Sequence, residues 1–185
     1  MAQDHRYAHS VRVARFAERL AFAYGESTFN ARLAGMLHDL ARLYSSHRLL
    51  EESQSCGLSI DAYAESNPIV LHAPLSAHLA REQFGISDSA VLSAISKHTL
   101  GAAEMSPLDC ILYLADSLEP GRAFADRPRL AALAFENLEL AMAQTIKSSF
   151  GFLWEKGLEP APQTLEAASM FGLQVDLGET FPSRS

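Results

Sequence analysis

Six residues of this chain combine the right side-chain types with inward-facing or mouth-facing positions to do metal chemistry: His9, His38, Asp39, His72, His98 and Asp116. Imidazole and carboxylate together, with no thiolate among them, suit borderline divalent transition metals. His9, His38, Asp39 and Asp116 would hold one ion and leave positions for water and phosphate. His72 and His98 would hold a second ion or bind substrate phosphate directly. A bound ion of this kind lowers the pKa of its water from about 15.7 towards about 7, giving a nucleophile without a serine or cysteine. The pattern centres on His38-Asp39. Consecutive helical residues point about 100° apart, so the pair cannot stack. Both can still converge on an ion in the groove between them, which would offset the cost of holding a carboxylate against a core. Taken alone the dipeptide reads as a buried ion pair or a solvated helix shoulder rather than as a metal site.

The elements that must position these residues read as helices. Residues 5–24 form an amphipathic pattern closed by Gly25, with His9, Val13, Phe16, Leu20 and Tyr24 on one stripe. A core histidine bonded to a backbone carbonyl is the competing reading of His9 by itself. Arg6 lies three residues before His9, hence on the same face. Leu33, Met36, Leu37, Leu40 and Tyr44 recur at helical spacing and predict that His38-Asp39 lies within a helix. A more polar helix follows over residues 47–56, closed at Gly57, with His47 exposed. Residues 58–71 are less regular, with one short helix and an interruption at Asn67-Pro68.

His72-Ala73-Pro74 opens the next helix, with proline in its first turn, and puts His72 on a mouth rather than in a core. His78, in the body of that helix, reads as structural or exposed. Ser87-Asp88 cap a helix through Val91, Ile95 and His98, which places His98 on the buried stripe. Thr99-Leu100-Gly101 ends it. Ser106-Pro107-Leu108-Asp109 is a strong helix start, and the apolar run after it holds Asp116, a costly position unless paired or metal-bound. Glu119-Pro120-Gly121-Arg122 breaks that helix and projects Arg122. One long helix is predicted over residues 128–156, ended by Gly157, then a short one over 164–171 and a polar tail. No segment alternates as a strand would. The expectation is an all-α, compact helical bundle with a metal site in its core.

Composition narrows the partners. The hydrophobic content of 48 % supports a single-domain core, and the net charge of −7 argues against a duplex-binding surface. A phosphorylated small molecule stays compatible, because a metal and a few arginines supply positive charge locally. Cys56 and Cys110 match no zinc spacing and read as buried thiols of a cytosolic protein. No apolar run reaches membrane-spanning length, and the amino terminus lacks a signal-peptide pattern. A cytoplasmic protein without nucleic-acid or membrane partners is expected.

The order His…His-Asp…His…His…Asp resembles the HD-domain metal-dependent phosphohydrolases. The local strings His5-Arg6-Tyr7-Ala8-His9, Leu37-His38-Asp39, Leu71-His72-Ala73-Pro74, Lys97-His98-Thr99 and Leu114 to Arg122 resemble its YqeK-type branch, the symmetrical diadenosine tetraphosphate hydrolases. Pro162-Gln163-Thr164 matches more weakly. The resemblance implies iron, as one or two ions, on His9, His38, Asp39 and Asp116, with His38, Asp39 and Asp116 carrying catalysis. It implies nucleotide contacts from Arg6, His72, His98, Thr99 and Arg122, with Thr164 added, and a homodimer. Residues 1–157 would form the metal-dependent domain and 158–185 an extension packed on it. Members of the branch carry a further helix before the Arg-Tyr-x-His string, so the start is either truncated or preceded by more chain. Fusion to a nucleotidyltransferase domain occurs among such relatives. The rivals are another HD phosphohydrolase with different substrate contacts, a non-catalytic nucleotide-binding HD module, or a bundle whose core histidines are simply satisfied.

Overall fold

The computed structural model describes residues 2–174, so the end of the expected polar tail lies outside the described residues. Ten α-helices and one 3₁₀ turn are described, and no strand occurs among the described residues. They run α1 (Ala2–Tyr24), α2 (Thr28–Leu37), α3 (Ser46–Ser55), α4 (Ala62–Ser66), a 3₁₀ turn (Pro68–Leu71), α5 (His72–Phe84), α6 (Ser89–Lys97), α7 (Pro107–Leu118), α8 (Arg127–Glu136), α9 (Leu138–Lys156) and α10 (Pro162–Met170). No helix among them is long and apolar enough to cross a membrane.

The centre of the bundle is α7. Its start is fixed twice over: the Ser106 hydroxyl accepts from the Asp109 amide, and the Asp109 carboxylate accepts from the Ser106 amide. From there Leu108 to Ala115 and Leu118 are buried, and α1, α2, α6, α8 and α9 pack around them. The side chains of Ser27, Ser45, Asp61, Asp88 and Asn137 cap α2, α3, α4, α6 and α9, so polar residues mark most of the helix starts. A second, smaller apolar cluster around Leu49, Leu71 and Leu75 holds α3 and α5 together beneath the 3₁₀ turn.

Three expectations need correction. His38-Asp39 is not inside a helix: α2 ends at Leu37, and residues 38–44 form tight turns. The reason is a tertiary hydrogen bond. The Ala41 amide donates to the Ser76 hydroxyl of α5 at 3.0 Å, while the Arg42 and Tyr44 amides turn back to carbonyls only three residues earlier. His98 likewise follows the last turn of α6 and caps it, although it stays on the buried side as the spacing predicts. The long helix over 128–156 is two helices, because Asn137 is extended (φ −152°) and its side chain accepts from the Leu140 amide. Asparagine competes for the backbone in this way, and here it starts α9 afresh.

Candidate active site

Three of the site histidines use one device. Nδ1 of His38 donates to the Gly35 carbonyl at 2.8 Å, Nδ1 of His72 to Ile69 at 2.5 Å, and Nδ1 of His98 to Ile95 at 2.7 Å. Each acceptor lies three residues upstream, at a helix end or in the 3₁₀ turn. With Nδ1 protonated and anchored, Nε2 is the lone-pair nitrogen and faces inward. His9 sits in the interior of α1, where carbonyls are already used. Its Nδ1 turns to a carboxylate instead, Oε1 of Glu119 at 3.1 Å.

The four rings and two carboxylates converge. Oδ1 of Asp116 lies 3.0 Å from His9 Nε2 and 3.8 Å from His38 Nε2. Oδ2 of Asp39 lies 3.6 Å from His38 Nε2 and 3.8 Å from His9 Nε2, while its Oδ1 lies 3.4 Å from His72 Nε2. Two ligand triads result, His9–His38–Asp116 and His38–Asp39–His98, with the donor atoms of each within 4.8 Å of one another. His38 belongs to both.

The donor set fits a divalent ion. Nε2 of His9 and of His38 are buried and make no hydrogen bond, although carboxylate oxygens lie close by out of alignment. Nε2 of His72 and of His98 face each other at 3.2 Å, and the Thr99 hydroxyl touches both at 3.3 and 3.1 Å. One hydroxyl proton can serve only one of those lone pairs. A cation relieves this arrangement without any proton being added.

Charge states agree with ligation. Burial, reinforced by the neighbouring rings of His38 and His72, pushes His98 down to about 3, and burial also lowers His38, so both rings are neutral and able to bind metal. Burial alone would raise Asp39 and Asp116. For Asp39 the His72 contact and the surrounding histidines outweigh it, and for Asp116 the His9 contact, His38 and Arg122 do so, which keeps both ionised.

Positive groups frame the carboxylates. Arg6 Nη1 reaches Asp39 Oδ2 at 3.0 Å, and Arg122 pairs with Asp116 through its Nη2 while its Nε donates to the Asp116 carbonyl at 2.8 Å. A cavity of about 230 Å³ opens over them, lined by Arg6, Asp39, Arg42, Asp116, Arg122 and the rings and side chains of Ile69, His72 and Thr99. The structure thus brings Arg6, His9, His38, Asp39, His72, His98, Thr99, Asp116 and Arg122 into one centre. His72 is buried yet lines the opening, so its mouth position holds. Thr164 is not in this group; it is buried on α10 and lines neither the cavity nor the triads.

Two further residues belong to the centre. Arg42 lies three residues after Asp39 and lines the cavity; its burial beside Arg6 lowers its pKa. Glu119 is buried and orients His9. The Arg42 spacing was visible in the sequence, whereas nothing local marks the Glu119 carboxylate as more than a turn residue.

The HD domain family model matches residues 6–121. The symmetrical bis(5'-nucleosyl)-tetraphosphatase of Bacillus subtilis (strain 168) is 33% identical over 165 residues, 87% of this chain and 86% of the relative. The protein of the same name from Staphylococcus aureus (strain NCTC 8325 / PS 47) is 29% identical, over 91% of this chain and 87% of the relative. A crystal structure from Clostridium acetobutylicum, described as a predicted HD superfamily hydrolase involved in NAD metabolism, superposes with a TM-score of 0.87 at 36% identity. It covers 90% of this chain, which spans 88% of that one. The His-Asp centre and these likenesses agree, and the chain belongs to the HD-domain family of metal-dependent nucleotide phosphohydrolases.

Proposed function

We propose that the chain hydrolyses diadenosine tetraphosphate symmetrically, with water, to two molecules of ADP, and that iron is its metal. The observation that carries this reading is the 230 Å³ cavity in which Arg6, Arg42 and Arg122 surround two metal-ligand carboxylates. Such a cavity is smaller than the roughly 300–1,000 Å³ of ordinary small-molecule sites, so it suits phosphates and not a whole dinucleotide. The relatives named for symmetrical tetraphosphate cleavage support the same substrate.

An ion on His9, His38, Asp39 and Asp116 supplies Lewis acidity and a water acidic enough to act at neutral pH. The remaining work falls to side chains. Arg6, Arg42 and Arg122 hold the phosphoryl oxygens and meet the charge that builds on them. Arg122 follows the Glu119-Pro120-Gly121 turn, and its planar guanidinium suits bidentate phosphate contact. His72 and Thr99, which line the same cavity, contact the phosphates, and His98 with His38 and Asp39 would hold a second ion. The bond from water oxygen to phosphorus forms as the central bridging P–O bond breaks, and the departing diphosphate takes the negative charge.

One nucleoside fits the chamber of about 270 Å³ beyond Thr99, lined also by Ser96, Gly101, Asp61 and Gln163. Gln163 donates to Asp61 at 2.7 Å and keeps its Oε1 buried without a partner. Thr164, the next residue, is buried on α10 and is not part of that lining. The same proposal takes residues 1–157 as the catalytic domain and the segment from residue 158 as its extension. A Cβ at Gly101 would come within 2.8 Å of the Ala167 Cβ, so α10 is seated closely on the end of α6.

Chromatography of the products from purified, metal-loaded protein tests this. Diadenosine tetraphosphate should give ADP as the main product, with iron on the same sample by elemental analysis. AMP with ATP as main products, or no cleavage, overturns the assignment.

A further inference from the structure

On the other side of the phosphate cavity lies a larger one of about 750 Å³, formed along α9 and the loop after α7. It is continuous with the catalytic centre, because Asp116 and Arg122 line both. Its walls carry Phe124 and Phe152, both exposed, and the hydroxyls of Ser117, Ser148 and Ser149. Lys156 lies over the Phe152 ring, 5.8 Å from its centroid.

Two features of this groove are unexplained by packing. Thr145 lines it, and its hydroxyl, buried beneath the groove surface, has no hydrogen-bond partner. An orphan hydroxyl of this kind is costly unless something supplies a partner. Gly151 also lines it, in the interior of α9, where glycine costs about 1 kcal/mol against alanine. A Cβ there would meet nothing within 4 Å, so no neighbour demands the missing side chain.

We propose that this groove is the subsite for the second nucleoside of a dinucleoside polyphosphate, the half that departs as the diphosphate. This rests on the symmetrical hydrolase reading above and adds to it where the leaving group is held. The phosphate chain crosses at Asp116 and Arg122, the base stacks on Phe152 or Phe124, and the ribose and base edges find the hydroxyls of Ser117 and Ser148, since that of Ser149 already donates to the Ile146 carbonyl. Glu155, at the far end, accepts hydrogen bonds from ribose hydroxyls or an exocyclic amine. The two nucleosides then flank the phosphates on opposite sides, one beyond Thr99 and one beyond Arg122. Aromatic stacking tolerates any base, so this subsite recognises a nucleoside and discriminates little among purines.

The test uses full-length, metal-loaded protein and the variants Phe152→Ala and Gly151→Leu. The second variant places a side chain in open groove on a helix, where leucine is favoured over glycine, so it folds even if the first does not. The KM for diadenosine tetraphosphate is measured together with the inhibition constant of adenosine 5'-tetraphosphate. That competitor lacks the second nucleoside and competes whether or not it is cleaved. The ratio of inhibition constant to KM should fall about tenfold in each folded variant, as expected for loss of one base–aromatic stack. A ratio that stays within about twofold of wild type, or rises, overturns the subsite while leaving the hydrolase reading standing. A wild-type protein that fails to cleave diadenosine tetraphosphate overturns both.

Discussion

Oε1 of Glu119 lies 3.1 Å from Nδ1 of His9, and that contact decides which ring nitrogen of His9 faces the metal centre. The same carboxylate accepts from Arg12 Nε at 2.5 Å and from the Gly121 amide at 2.5 Å. Burial would raise its pKa, but the Arg12 contact, the Gly121 amide and His9 together hold it down at about 2. A permanently ionised Glu119 keeps the proton of His9 on Nδ1 and leaves Nε2 free for metal.

Glu119→Gln should therefore weaken metal binding about 10- to 100-fold with the helical fold retained, the usual cost of losing a carboxylate behind a ligating histidine. The amide cannot accept from three donors at once, since one of its two heads is itself a donor. Competition with a chelator of known affinity reads the change. Unaltered affinity would mean that the His9 ring is held by its packing alone.

Most of the helices, the caps at Asp88 and Ser106 and the inward residues His9, His38, Asp39, His98 and Asp116 were legible because apolar spacing and capping residues are local signals, whereas Arg6, Thr99 and Arg122 followed only from the family resemblance. Ser106-Pro107-Leu108-Asp109 folded as its pattern indicates, down to the reciprocal capping box. The turn after α2 was not legible, since the bond that diverts it comes from Ser76, far along the chain. The periodicity through Leu40 and Tyr44 persists across the turn because the same side of the chain stays buried when the helix tightens. The anchoring of the His38 and His98 rings is likewise beyond periodicity, because each Nδ1 donates to a carbonyl three residues back at its helix end. Glu119 was hidden differently. Its role depends on Gly121 approaching Arg12 so closely that a Cβ there would lie 2.6 Å from Arg12 Nε, a contact between distant segments.

The closeness of α1 to α2 gives a second prediction. A Cβ on Gly35 would fall 2.6 Å from the Cα and 2.8 Å from the amide nitrogen of Ala14. Both are backbone atoms, so no rotamer relieves the clash and the helices must part. Gly35→Ala should cost about 1–3 kcal/mol, the range for overpacking, and lower Tm by at least about 2–4 °C. Because Gly35 also holds His38 and α1 carries His9, metal affinity should fall with it. Calorimetry of apo and metal-loaded protein separates the two effects. An unchanged apo midpoint would sink the packing argument.

Stability should decline on the alkaline side. Burial, helped by the charges of Asp109 and Glu139, raises the Cys110 thiol from its ordinary 9.0 to about 12. Above pH 9 the unfolded chain releases this proton while the folded chain keeps it. The folded state then binds more protons, so stability is full below the ordinary pKa and falls as pH rises towards 12. The loss from this group reaches about 2 kcal/mol by about pH 10.5. Urea unfolding at neutral pH and at about pH 10.5 should show a smaller alkaline loss in Cys110→Ala than in wild type. Equal losses would show that the thiol contributes nothing.

His72 and His98 look alike in sequence but occupy different places in the geometry. His98 completes a ligand triad with His38 and Asp39, whereas His72 belongs to neither triad and lines the phosphate cavity. His98→Ala should therefore lower the number of ions per chain. His72→Ala should keep the ions and raise KM about tenfold, the scale of losing one hydrogen bond to a charged phosphate. The 3.2 Å separation of their Nε2 atoms makes the comparison sharp, because either truncation also removes the other's opposing lone pair. Elemental analysis beside steady-state kinetics on the same preparations gives the answer. A full ion count in His98→Ala reduces the centre to His9, His38, Asp39 and Asp116 and makes both outer histidines phosphate ligands. A reduced count in His72→Ala instead places a second ion between the two rings.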